Sequence, residues 1–82
     1  MEIIESKENK LIKSLRKLKQ KKYRDSENKF LAEGYKFLDY NYSPEIIIIR
    51  EDIFQSNFYF EKVNKFSCKK IIVTIKIFEE LS

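Results

Sequence analysis

The chain is predicted to be an α/β protein, a three-layer α/β/α sandwich around a small, mostly parallel sheet of about three strands. Three observations predict it. Short apolar runs of strand length, Lys29–Glu33, Ile46–Ile49 and Lys70–Thr74, alternate with segments of helical periodicity. Each run leads into a helix-like segment, and repeated β-α units imply parallel strands with helices on both faces. Ile46–Ile49 is four β-branched residues in a row, the composition of a strand covered on both sides, hence central and parallel.

The first element is a basic amphipathic helix opening after Ser6. At about 100° per residue, Ile4, Leu11, Leu15 and Leu18 form a narrow stripe with Ile12 at its flank. Lys10, Lys13, Arg16, Lys17 and Lys21 fall on the opposite side. Ser6 has the chemistry of an N-cap, and Glu8 suits the positive end of the helix dipole. Lys22 would land on the apolar stripe, so the helix is expected to stop near Gln20 or Lys21. Asp25–Asn28 reads as a polar turn.

Lys29–Glu33 (KFLAE) follows as a buried strand, then the chain's only glycine, Gly34, where positive φ or close approach is permitted. Tyr35–Tyr42 suits a short helix ended before Pro44. After Ile46–Ile49, Arg50–Gln55 makes a turn. Ser56 or Asn57 caps a helix to about Lys65 that buries Phe58, Val63 and Phe60. Lys70–Thr74 is the third strand, and Thr74 caps a last helix, Ile75 to Leu81, with Ile77, Phe78 and Leu81 on its apolar side. Phe30, Phe37, Phe54, Phe58 and Phe78 are assigned to the core, because a domain of 82 residues needs its large rings there.

Composition excludes several function classes. There is no histidine and one cysteine, so imidazole–thiolate zinc sites and Ser/His or Cys/His nucleophile pairs are not available. No Gly-rich phosphate loop accompanies the carboxylates. Cys68 has no internal disulfide partner and no apolar leader follows Met1, which sets a reducing, cytoplasmic environment as the expectation. The longest apolar run is far too short to span a bilayer. These residues point to binding, with no metal and no catalytic residue in the chain.

Charge is the informative quantity. The net charge is +4, yet Lys7 through Arg24 carries nine basic residues against Glu8 alone, a local +8. The remaining eight basic and twelve acidic residues leave −4 elsewhere. A solvated helix face ordinarily interleaves both signs. One acid among nine bases repels itself, and the sign suits a polyanion such as a phosphate backbone that the protein itself does not supply.

A set of motifs carries a family resemblance. Ile4-Glu5-Ser6, Asn9, Ile12-Lys13-Ser14-Leu15, Lys21-Lys22-Tyr23-Arg24 and Phe30-Leu31-Ala32-Glu33-Gly34 occur in order, and Val73-Thr74, Phe78 and Leu81-Ser82 continue the pattern. The chain resembles the N-terminal substrate-binding domain of SpoU-type, TrmH-like RNA ribose methyltransferases. Only the first 34 residues are distinctive, and the join of Lys-Lys-x-Arg to Phe-Leu-x-Glu-Gly is the most specific part. The resemblance implies an α/β/α RNA substrate-binding domain over residues 1–82, of a type shared with RNA-binding ribosomal proteins. It also implies a separate catalytic domain, absent from this chain, that uses S-adenosylmethionine to methylate a ribose 2′-hydroxyl in rRNA or tRNA. On that pattern the chain stops before a last strand, which would leave a sheet edge open to another copy.

Candidate RNA-binding residues divide between two readings each. Asn9, Lys10 and Lys13 either meet phosphate or ribose or form solvated surface. Lys17, Lys21 and Lys22 act on phosphates as a group. Arg24 either clamps a phosphate or pairs bidentately with Glu33, and for Glu33 the structural pair is the better reading. Gly34 serves backbone geometry first and close approach of RNA second. Tyr23 and Tyr35 flank the basic motif and can present a ring to an unpaired base. Cys68 reads as inert. A free-standing ribosomal-protein-like RNA-binding module and a protein-interaction adaptor are the competing functions; an enzyme in its own right is disfavoured by the missing motifs.

Overall fold

The computed structural model describes residues 3–39, 43–53 and 56–82. In chain order the elements are β1 (Ile3–Ile4), α1 (Lys10–Lys17), α2 (Lys21–Glu27), a 3-10 helix (Tyr35–Asp39), β2 (Ile46–Arg50), α3 (Asn57–Asn64), β3 (Lys69–Val73) and α4 (Ile75–Leu81). The three strands form one sheet in the order β1-β3-β2, and both pairings are parallel. The register sets Ile3 beside Ile72 and Ile48 beside Ile71.

Alternation along the strands divides the core in two. Ile71 and Val73 point to one face, where they meet Ile12, Leu15 and Leu18 of the α1 segment and Ile77 and Leu81 of α4. Ile72, Ile47 and Ile49 point to the other, against Val63 of α3, with Leu38, Phe66 and Cys68 around them. The three layers of the sandwich follow directly, since a side-chain period of two feeds both faces of a sheet covered by helices. Ile12 and Val73 are wholly buried, and no polar or charged residue is buried among the described residues.

Several elements depart from the sequence reading. Lys29–Glu33 is not a strand: β3 already has β1 on one side and β2 on the other, and Phe30 is 67% exposed. The third strand is Ile3–Ile4 instead, two residues too short to stand out by pattern. Ile46–Ile49 is parallel and covered on both faces as expected, but β3 occupies the centre of the sheet and β2 lies beside it. The basic helix breaks into α1 and α2 around Leu18–Gln20, and residues 21–27, read partly as turn, are helical. Ser56 stands at the N-cap of α3, and that helix buries Val63 but leaves Phe58 and Phe60 exposed. Aliphatic side chains fill the core in place of rings, with Phe37 and Phe78 half-buried at its margin. The assignments of Phe54, and of Tyr40 to Tyr42 to a helix, fall outside the described residues.

Gly34 adopts φ +109°, where a side chain is strained, while a Cβ there would meet nothing within 4 Å. Its role in the fold is therefore conformational: it turns the chain into the 3-10 helix, where the Phe37 N–H donates to the Gly34 carbonyl at 3.2 Å.

Candidate nucleic-acid interface

Helix α1 is placed by its apolar stripe and by its cap. Asn9, not Ser6, is the N-cap: its Oδ1 accepts from the N–H groups of Leu11 at 2.9 Å and Ile12 at 3.3 Å. Ser6 closes a turn upstream, its Oγ accepting from Glu8 N–H at 3.1 Å and its carbonyl from Asn9 N–H at 3.2 Å. That turn postpones the helix to Lys10. Burial of Ile12 and Leu15 then sends Lys10, Lys13 and Lys17 outward.

Arg24 fixes the step from α1 to α2. Its guanidinium donates to the carbonyls of Leu18 at 3.1 Å and Lys19 at 2.9 Å, acceptors left open where α1 ends. The expected Arg24–Glu33 pair does not form. Glu33 instead accepts from the Ser82 hydroxyl beyond α4. Carbonyls at the end of α1 and a hydroxyl beyond α4 engage the two side chains separately, and the exposed ion pair they would otherwise make is of small value.

The cations are divided between two environments, and the expectation of a face with no internal counter-charge is corrected accordingly. On the flank facing α4, Glu80 receives Lys7 at 2.9 Å and Arg16 at 3.3 Å, and its carbonyl accepts from Lys19 Nζ at 2.8 Å. The Lys7 hydrogen bond, aided by the charges of Lys7 and Arg16, lowers the Glu80 pKa below its ordinary value against the opposing effect of desolvation. Lys13 reaches Glu8 and Lys21 reaches Asp25, at 2.9 and 2.8 Å, but both pairs are exposed. Such exposed pairs contribute little to stability and yield readily to a denser anion. Among the described residues, Lys10, Lys17 and Lys22 meet no carboxylate.

Tyr23 lies between two of those three. Lys17 Nζ sits 5.6 Å and Lys22 Nζ 5.0 Å from the centre of its partly buried ring. Thus Lys10, Lys13, Lys17, Lys21, Lys22 and Tyr23 gather on α1 and α2. Asn9 and Arg24 shape the ends of α1. Gly34 belongs to the segment that Glu33 ties to the end of α4, and the side chain of Tyr35 lies outside the described residues. Glu80 had no signal in the sequence beyond its place in an acidic remainder; its role depends on α4 packing beside α1.

Residues 9–82 match the model of the MRM3-like substrate-binding domain. The chain belongs to that family. Its fold is also that of the crystal structure of an rRNA methyltransferase from Sinorhizobium meliloti, with a TM-score of 0.72 at 24% identity. That similarity covers 98% of this chain and 31% of the other, so the chain spans about a third of the length of the enzyme it resembles. No match is found among curated proteins. The family assignment bears out the resemblance carried by the motifs of the first 34 residues.

The recess beside α1 is lined by Lys7, Glu8, Arg16, Lys19 and Glu80. No helix among the described residues is long and apolar enough to cross a membrane.

Proposed function

We propose that this substrate-binding domain holds structured RNA, rRNA or tRNA, for 2′-O-ribose methylation by an S-adenosylmethionine-dependent catalytic domain of the same protein. The observation that carries the proposal is the set of cations on α1 and α2 that have neither a carboxylate nor a carbonyl partner among the described residues: Lys10, Lys17 and Lys22, joined by the weakly paired Lys13 and Lys21. Flexible ammonium groups on short helices position phosphates and carry no base code of their own. The domain itself therefore orients the substrate and leaves the chemistry to its partner.

If about five phosphates are met, log affinity for RNA falls against log salt concentration with a slope of roughly −3.5 to −4.5. Fluorescence anisotropy with a labelled RNA hairpin measures it. Replacing Lys10, Lys17 and Lys22 together with Glu is expected to abolish binding while the circular dichroism spectrum stays unchanged, because none of the three side chains is buried. A slope near zero, or full binding by the triple variant, rejects the electrostatic face. Binding of the unaltered chain to an acidic protein that RNA does not displace would support an adaptor instead.

A further inference from the structure

We infer that Tyr23, flanked by Lys17 and Lys22, seats one unpaired base of a single-stranded RNA segment, so that the domain selects RNA with an unstacked nucleotide over continuous duplex. The inference rests on the RNA-binding reading above and specifies its substrate class. Helix α2 buries none of its residues, and Tyr23 belongs to neither apolar cluster of the core. The ring is partly buried and stands outside the aliphatic core. Two ammonium groups lie 5.6 and 5.0 Å from the ring centre.

An aromatic face among mobile cations fits a single-stranded nucleic acid, which offers a base face and phosphates on either side of it. Cation–π contact at an exposed site is weak, so a stacking base can displace an ammonium group, which is then free to meet a neighbouring phosphate. The backbone under the ring is held in place: Arg24, the next residue, is fixed to the carbonyls of Leu18 and Lys19. The Tyr23 N–H donates to the Gln20 carbonyl at 3.1 Å. A duplex keeps its bases stacked and offers the ring nothing. Every base has a π-face, so the seat tolerates sequence and reads the unpaired state.

The test compares a labelled uridine 12-mer with a 12-base-pair RNA duplex at one low salt concentration. Tyr23→Leu is expected to weaken binding of the single strand about five- to 150-fold, the range for loss of one base–aromatic stack, and to leave the duplex within about twofold. Tyr23→Phe keeps the ring and is expected to retain single-strand affinity within about twofold. In the unaltered chain, the ring-proton resonances of Tyr23 shift on adding the 12-mer and stay in place on adding duplex, a readout independent of how the Leu variant folds. Equal losses on both RNAs, no loss on the 12-mer, or unmoved ring resonances under saturating 12-mer overturns the seat. RNA binding that survives the Lys10, Lys17 and Lys22 charge reversal instead rejects the basic face, whatever Tyr23 does.

Discussion

Asn9 shows how a residue can serve the fold at a place where the sequence suggests recognition. Its Oδ1 is committed to two backbone N–H groups at the start of α1, and only the amide nitrogen is left to donate outward. Asn9→Ala is expected to cost about 1 kcal/mol of stability, the usual value of an N-cap, measured by urea denaturation. Asn9→Ser should recover most of it, because the hydroxyl can accept the same bonds. Arg24 is a similar case. Bidentate pairing with Glu33 was a sound expectation from chemistry, but two carbonyls at the break after α1 claim the guanidinium first. Sequence shows what a side chain can bond; which unmet groups lie within reach depends on the turn between α1 and α2, and the expected helix end near Gln20 or Lys21 did not show that a second helix starts at once.

At the scale of elements, α1 and α4 are joined by charge as well as by apolar contact. Glu80 receives Lys7 and Arg16, and its pKa is lowered chiefly by the Lys7 hydrogen bond. A carboxylate with a depressed folded pKa stabilises the fold above its ordinary value of 4.5, and that contribution is lost as pH falls through the folded value. Glu80→Gln is therefore expected to lower thermal stability at neutral pH and to flatten its decline below about pH 4.5. Thermal unfolding of both forms between pH 3 and 7 checks this, and parallel curves would remove Glu80 from the acid response. The elements that were legible in sequence are those with long, consistent patterns: β2 from its isoleucines, β3 with the Thr74 cap, α4, and the Leu15–Leu18 part of the α1 stripe, whose centre is the wholly buried Ile12 while Ile4, expected on the same stripe, lies in β1. Lys29–Glu33 misled because Leu31 does pack against the core while its neighbours Phe30 and Ala32 stay exposed. A single inward side chain on irregular backbone imitates a short strand.

For the whole molecule, the core is small and almost entirely aliphatic. Ile72 is 1% exposed, central in the sheet, and packed between Ile47, Ile49 and Val63. Ile72→Ala is expected to destabilise the domain by about 2–5 kcal/mol, enough to unfold a protein this small in the absence of a ligand. Loss of the cooperative transition in thermal scans is the outcome to look for. The layer architecture and the location of the cations were readable from periodicity and charge. Their partial neutralisation was not, because Glu80 is 64 residues from Arg16 in sequence. Exposure of Phe30 and Phe58 also escaped the reading, since composition cannot tell that isoleucine and valine already fill both faces of the sheet.

The pairing of Ile3 with Ile72 has a consequence for how the domain is born. Its first strand can dock only after β3 has left the ribosome, which at about 5–20 residues per second means a wait of roughly 3 to 14 seconds. From the emergence of Arg24 to the end of that interval the lysine-rich segment is outside, and Glu80 has not yet followed it. The nascent chain is thus more cationic than the finished one, and translating it in a crowded, polyanion-filled surrounding favours premature capture until α4 arrives.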